Sequence, residues 1–290
     1  MSTTQNADTV TLANGVVMPK RGFGVFQIPD NQTVDAVKSA LSLGYRLIDT
    51  AQSYFNEEAV GQALEESEVP RDQIFLTTKV WIDNYGYEKT KQSVVESLRK
   101  LRTDYLDLLL LHQPFSDYYG AYRAIEDLYK EGIIRAIGVS NFAPDRLMDI
   151  ALFNEIVPMV NQVEVNLFQQ QQSQLQTMQE LGVQAAAWAP FGEGRNGMFT
   201  NPTLVGIANA HGKSVAQIIL RWLWQRDIVS LAKSMRPERM QENFMIEDFA
   251  LSDEDMQAIA AEDTNTSLFF NHQTPEAVKM MKDLVVARRK

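Results

Sequence analysis

The sequence predicts an α/β fold, a (β/α)8 TIM barrel with a β-hairpin at its bottom and long loops over its C-terminal rim. Three observations carry that expectation. Short β-rich apolar runs alternate with amphipathic helical segments along most of the 290 residues. Eight such runs end near residues 26, 48, 80, 112, 140, 163, 187 and 231. No Pro/Gly/Ser-rich linker separates them. Strands alternating with helices of this length form βαβ units and a parallel sheet. Eight units favour closure into one barrel over a split, doubly wound sheet, so a single domain is expected over 1–290.

The elements follow in order. Residues 9–18, TVTLANGVVM, hold Asn14-Gly15 between apolar runs, a signal for a two-residue hairpin turn. Amphipathic segments at 33–43, 57–66, 88–101, 121–131 and 170–181 supply helices between the strands. Between the runs ending near 187 and 231, two helical patterns lie at 202–210 and 214–226. Long excursions at a barrel rim are usually functional, so a loop over the ligand is expected there. Leu268 to Thr274 (LFFNHQT) reads as a loop and Pro275 as the start of a helix, giving a C-terminal appendage over 264–290.

Composition narrows the function. The chain is 45% hydrophobic and 22% charged, as in a soluble protein with a sizeable core. A net charge of −10 argues against nucleic acid or an anionic membrane as main partner, while a small anion in a local basic patch stays compatible. There is no cysteine, and His112, His211 and His272 are too scattered for a metal site, so no metal is expected. The N-terminus lacks a signal-peptide pattern and no run of 18 apolar residues occurs; a cytoplasmic location is expected.

Asp49, Tyr54, Lys79 and His112 sit at or just after the ends of three consecutive runs, RLID, QIFLTTK and YLDLLLLH. Parallel strands of one barrel would bring all four to the C-terminal rim, where barrel enzymes carry their chemistry. Taken singly, Asp49 reads as a turn cap, Tyr54 as a packing residue, Lys79 as a solvated cation and His112 as structural. Together they describe a proton donor with pKa-tuning neighbours. A tyrosine of ordinary pKa about 10 is protonated at neutral pH, and a nearby ammonium is expected to lower that value.

Three further stretches carry a resemblance. Gly44-Tyr45-Arg46-Leu47-Ile48-Asp49-Thr50-Ala51, continuing to Glu57 and Gly61, is the first. Arg135-Ala136-Ile137-Gly138-Val139-Ser140-Asn141-Phe142 is the second, and Lys233-Ser234 with Arg239, Glu242 and Asn243 the third. With these motifs, in this order, the chain resembles the aldo-keto reductases, specifically the bacterial group that includes diketogluconate reductases, from about residue 10 to 275. The resemblance implies Tyr54 as general acid, Lys79 as its tuner, Asp49 as the lysine's partner and His112 as the group orienting the carbonyl. It also implies NADP(H) laid across the rim. A GFG at Gly22–Gly24 is not followed by the GxGxxG pattern of a Rossmann site. Ser140, Asn141 and Gln162 would meet the nicotinamide carboxamide, and Trp188 its ring. Gly24, Val25, Phe191, Gly192 and Met235 would complete the cofactor contacts. Lys233, Ser234 and Arg239 suit a 2′-phosphate, and Glu242 and Asn243 the adenine.

Phe26, Trp81, His112 and Gln113, with residues of the C-terminal segment, are expected around the substrate. The chain departs from the family pattern in places. Ala232 replaces a usual proline, Asn166-Leu167 a frequent His-Pro, and Gln113 a tryptophan of many relatives, which makes the pocket more open or more polar. Trp188 differs from the tyrosine of many animal members but fits the bacterial group. The expected function is NADPH-dependent reduction of aldehydes, ketones or keto-sugars by a monomer. The alternatives are a cofactor-binding regulatory subunit of the same fold with little turnover, and a barrel isomerase or aldolase using Lys79 as a Schiff base.

Overall fold

The computed structural model describes residues 8–288; residues 1–7 and 289–290, the ends of the expected unit, lie outside the described residues. Two short strands, β1 (Thr9–Thr11) and β2 (Val17–Pro19), pair antiparallel. Eight more close a barrel: β3 (Arg21–Gly24), β4 (Leu47–Asp49), β5 (Phe75–Val80), β6 (Leu108–Leu111), β7 (Ile137–Ser140), β8 (Val160–Glu164), β9 (Gln184–Trp188) and β10 (Val229–Ala232). Each is hydrogen-bonded to its sequence neighbours in parallel, and β10 closes on β3. The strand ends lie within two residues of those read from the sequence.

Apolar runs rather than alternating ones form these strands because a parallel barrel is covered on both faces. Leu108, Leu109, Leu110 and Leu111 are all fully buried. The register sets the site. Gly24 pairs with Asp49, Asp49 with Thr77, Lys79 with Leu110 and Ser140 with Gln162, so the strands end on a common rim.

The expected helices appear as Asp30–Ser42, Glu57–Glu65, Tyr87–Leu101, Tyr118–Lys130, Gln172–Leu181, Pro202–His211 and Val215–Gln225. Pro144–Leu152, Pro237–Phe244 and Asp253–Ala260 are further helices that the periodicity did not single out. They span two or three turns, too few for a clear repeat, although the first two carry proline in the first turn.

The hairpin is present, but its turn differs from the expected two-residue form. Leu12 N–H bonds the Val16 carbonyl and Gly15 N–H the Leu12 carbonyl, enclosing three residues. Gly15 alone takes the left-handed conformation, φ +86°, while a two-residue type I′ turn would need it at Asn14 as well. The Asn14 amide instead donates to the Arg135 carbonyl, 2.9 Å away at the N-terminal end of β7. The hairpin thus lies at the bottom, with Val10, Leu12 and Met18 buried against the barrel. At the other end of the chain, Pro275–Arg288 docks through Ala277, Met281 and Val285. Among the described residues no helix is long and apolar enough to cross a membrane.

Candidate active site

The C-terminal end of β4 delivers Asp49, and a 3-10 turn over Gln52–Tyr54 brings Tyr54 back over the rim. That turn is tied down on both sides. Gln52 Oε1 accepts from Trp81 N (2.9 Å) and Asn84 Nδ2 (2.8 Å), beyond the end of β5. Asn56 donates to the Val25 carbonyl at 3.0 Å and accepts from Thr50 Oγ1 at 2.9 Å. Tyr54 is therefore fixed relative to β3, β4 and β5 together.

Lys79, on β5, is fully buried. Its Nζ donates to Asp49 Oδ1 at 2.5 Å, to the Thr50 carbonyl at 2.9 Å and to the Tyr54 hydroxyl at 3.3 Å. Gln162 Nε2 bonds the other Asp49 oxygen at 2.9 Å, joining β8 to the same network. The four residues read from the strand ends therefore converge. Ser53, which the sequence reading missed, lies 3.2 Å from His112 Nδ1. It precedes Tyr54 in the same turn, and no motif marks it.

The charges arrange themselves by burial. Burial pulls Lys79 down, but Asp49 and Tyr54 more than offset it, and its pKa is raised. Burial raises Tyr54, and Lys79 offsets only part of that. The expected net lowering of Tyr54 is not found, because desolvation of a phenolate outweighs one ammonium. His112 lies well below its ordinary value through burial first, then Lys79, Arg288 and His272. It is a neutral imidazole at pH 7.

A cavity of about 510 Å³ opens above these groups, a volume suited to a small ligand. Tyr54, His112, Phe26, Trp81 and Gln113 line it together with Gly24, Ser140, Asn141, Gln162, Trp188, Phe191 and Lys233. The Tyr54 and Trp81 rings lie 5.6 and 5.2 Å from the His112 ring. Gln113 is held by its backbone, both N–H and carbonyl bonding the Tyr85 hydroxyl. Its side-chain Oε1 is buried and has no partner, in keeping with the more polar wall expected at this position.

Asn141 takes the left-handed conformation, φ 65°. Its side chain accepts from Trp188 Nε1 at 2.8 Å and donates to the His112 carbonyl at 3.1 Å, so the indole plane is held against the rim. The segment after β9 crosses the cavity: Gln27 Nε2 reaches Glu193 at 3.3 Å, and Arg195 donates to the Leu268 carbonyl at 2.7 Å. The loop expected at this rim is this stretch, Gly192–Thr200, whose backbone leaves helical geometry over residues 193–197. Phe269, Phe270, His272, Leu284 and Arg288 complete the wall from the C-terminal appendage. Asn166 builds the turn after β8 and donates to Glu164, whose carboxylate holds Ser267 Oγ (2.6 Å) and Leu268 N (2.9 Å). A second cavity, about 620 Å³ and richer in amides, shares Asn141 and Trp188 but not Tyr54 or His112.

Not every expected residue reaches the main cavity. Val25 is fully buried with its N–H on the Asp49 carbonyl, and Gly192 is covered by Leu268 and Met198. Of the expected residues beyond Lys233, Met235 and Arg239 are exposed, Ser234 and Glu242 half-buried and Asn243 buried. Among the described residues Lys233, Arg236 and Arg239 make no ion pair, and the helix Pro237–Phe244 begins without a side-chain cap. Lys233, Arg236 and Arg239 are exposed beside that helix start.

Comparison with known proteins agrees with this geometry. The chain is 47% identical to the glyoxal reductase of Bacillus subtilis (strain 168), over 88% of this chain and 92% of that protein. The structure matches an aldo-keto reductase from a Medee basin deep-sea metagenome library with a TM-score of 0.89 and 42% identity, covering 91% of this chain and 98% of the other. It matches a Bombyx mori aldo-keto reductase in complex with NADP with a TM-score of 0.86 and 32% identity, covering 90% and 94%. The family model described as the aldo/keto reductase family matches residues 21–263, and the chain belongs to that family.

Proposed function

We propose that this protein is an NADPH-dependent reductase of aldehydes, ketones or keto-sugars, with Tyr54 as its general acid. The observation that carries the reading is the Tyr54 hydroxyl 3.3 Å from a fully buried Lys79, itself 2.5 Å from Asp49, beside a cavity. NADPH, when bound, supplies the hydride. Tyr54 gives its phenolic proton to the carbonyl oxygen as negative charge builds there. Lys79 stabilises the phenolate left behind, and Asp49 keeps the lysine charged and aimed. His112 Nδ1 is paired with the Ser53 hydroxyl at 3.2 Å; in the tautomer where that hydroxyl donates, the imidazole proton sits on Nε2 and hydrogen-bonds the carbonyl oxygen, orienting it.

Ser140, Asn141, Gln162 and Trp188 would hold the nicotinamide end. Gln162 spends its N–H on Asp49, which leaves its amide oxygen as an acceptor for the carboxamide. Lys233, Ser234 and Arg239 would take the 2′-phosphate, a reading supported by the absence of ion pairs to Lys233 and Arg239 among the described residues. Glu242 and Asn243 would meet the adenine, and the backbone near Gly24, Val25, Phe191, Gly192 and Met235 would line its path. Lys79 as a Schiff-base lysine finds no support, since a raised pKa beside a carboxylate keeps the amine protonated. We also read the protein as one domain, a monomer of the cytoplasm acting on small molecules, with neither nucleic acid nor membrane as partner.

A panel of carbonyl substrates, followed by nicotinamide absorbance with NADPH and NADH in parallel, tests the reading. Tyr54→Phe should lower kcat by about 10²–10⁴-fold while NADPH binding, read by tryptophan fluorescence, persists. Near-full turnover by that variant would remove Tyr54 from the role of acid.

A further inference from the structure

The helix Pro275–Arg288 lies beyond residue 263, where the family match ends, and the reaction above uses none of it. Its register is set by the buried Ala277, Met281 and Val285. Arg288 follows Met281 by seven residues, Leu284 by four and Val285 by three, so helical periodicity places it on the docked side. Leu284 and Arg288 accordingly line the cavity that contains Tyr54 and His112.

The Arg288 guanidinium lies 4.8 Å from the centre of the Trp81 ring and 5.1 Å from that of Phe55. Trp81 in turn lies 5.2 Å from the His112 ring. A guanidinium set this close to two aromatic rings gains cation–π attraction and keeps N–H groups for an anion. Asp83 is the carboxylate whose charge acts on it, and its own charge is felt at His112. Two buried polar atoms of this wall, Trp81 Nε1 and Gln113 Oε1, have no protein partner.

We propose that Arg288 is a specificity-determining residue that binds an oxyanionic group, a carboxylate or a phosphate, on a substrate whose reacting carbonyl lies at Tyr54 and His112. The proposal rests on the carbonyl-reductase reading and adds a substrate class to it: anionic carbonyl compounds such as oxo acids or sugar phosphates. A cation at the mouth also offsets the repulsion that a chain of charge −10 exerts on such substrates.

The test compares matched pairs with the NADPH-loaded enzyme. Succinic semialdehyde is set against butanal, and glyceraldehyde 3-phosphate against glyceraldehyde. In Arg288→Gln the anionic-to-neutral ratio of kcat/KM should fall about tenfold or more for at least one pair, the size of one charge-assisted hydrogen bond. Arg288→Lys should recover part of it, and the ratio should shrink with added salt. The pair that responds tells carboxylate from phosphate. Equal loss within both pairs would overturn the proposal and leave Arg288 as a clamp seating the helix.

A second readout does not depend on turnover. Succinate and its neutral diamide are titrated into the NADP+-loaded protein by tryptophan fluorescence, and only succinate should weaken in Arg288→Gln. If neither aldehyde of a pair is reduced by the parent enzyme, the carbonyl-reductase reading fails, while the succinate titration still decides whether Arg288 binds an anion.

Discussion

Replacing Asp49 by asparagine removes one charge and almost no volume. The side chains of Lys79 and Asp49 are 0% and 5% exposed. In Asp49→Asn the ammonium keeps the Thr50 carbonyl at 2.9 Å, the Tyr54 hydroxyl at 3.3 Å and a neutral amide oxygen, with no countercharge. Breaking a buried pair by losing one partner costs about 3–5 kcal/mol. At about 2–4 °C per kcal/mol, the melting temperature should fall by roughly 6–20 °C. The pH dependence should also change sign. In the parent, the raised Lys79 pKa contributes stability that is fully present below the unfolded value of about 10.4 and lost as pH climbs through the folded one. In the variant, burial is opposed by Tyr54 alone and the folded pKa drops below the unfolded one. Between the two values the unfolded state then binds more protons, so stability rises with pH. Thermal melts of both proteins at about pH 7 and about pH 9 check this, within the range where an unpaired buried lysine titrates. The deficit of the variant should shrink at the higher pH. A deficit below about 2 °C, or one independent of pH, would refute the account of a buried, charge-dependent pair.

Further outcomes follow from other parts of the fold. His272 is half-buried and desolvation lowers its pKa to about 4, so the unfolded state binds more protons below the ordinary value. Stability should therefore fall as pH drops from about 6.5 to about 4, by up to ~3 kcal/mol from this group, and urea melts of His272→Gln should show a shallower fall. Lys233→Ala and Arg239→Ala should each raise the KM for NADPH about tenfold with little effect on that for NADH, as loss of a charge-assisted phosphate contact requires; steady-state kinetics with both cofactors decide it. Gly138→Ala should destabilise the barrel by about 1–3 kcal/mol or more in chemical denaturation, because its Cβ would lie 2.4 Å from the Val160 carbonyl oxygen.

The barrel was legible because its strands are short apolar runs at regular intervals, a pattern that survives without any knowledge of contacts. Asp49, Lys79 and His112 were legible for the same reason: each stands at or just after the end of such a run, and parallel register turns shared position along the chain into proximity in space. Ser53 and Arg288 were not. Ser53 acts through a turn geometry that periodicity does not encode. Arg288 reaches the cavity only because Pro275–Arg288 folds back over the rim, a tertiary fact with no local signal beyond its spacing from Met281. The hairpin formed where expected, and only the length of its turn escaped the sequence. Asn14 does serve the turn, its Oδ1 accepting from Val16 N–H at 3.2 Å, but its amide also donates to the Arg135 carbonyl at the foot of β7, and the turn takes three residues.

The raised pKa of Tyr54 is the point at which sequence and structure disagree most instructively. A general acid must hold its proton until charge appears on the carbonyl oxygen and release it then. Burial raises the phenol and keeps it protonated across the physiological range. The same burial places the Lys79 ammonium in a medium of low dielectric, where its attraction for a forming phenolate is stronger than in water. One desolvated site therefore serves both requirements, and Asp49 raises the lysine pKa that burial alone would lower. Lys79→Met tests this, since it removes the charge and keeps the stem. Tyr54 should then be harder to ionise, and kcat should fall about 10²-fold or more, as for a lost preorganised charge. The apparent alkaline pKa in the kcat profile should move up, not down. A profile unchanged in position would mean that the lysine supports the fold without tuning the acid.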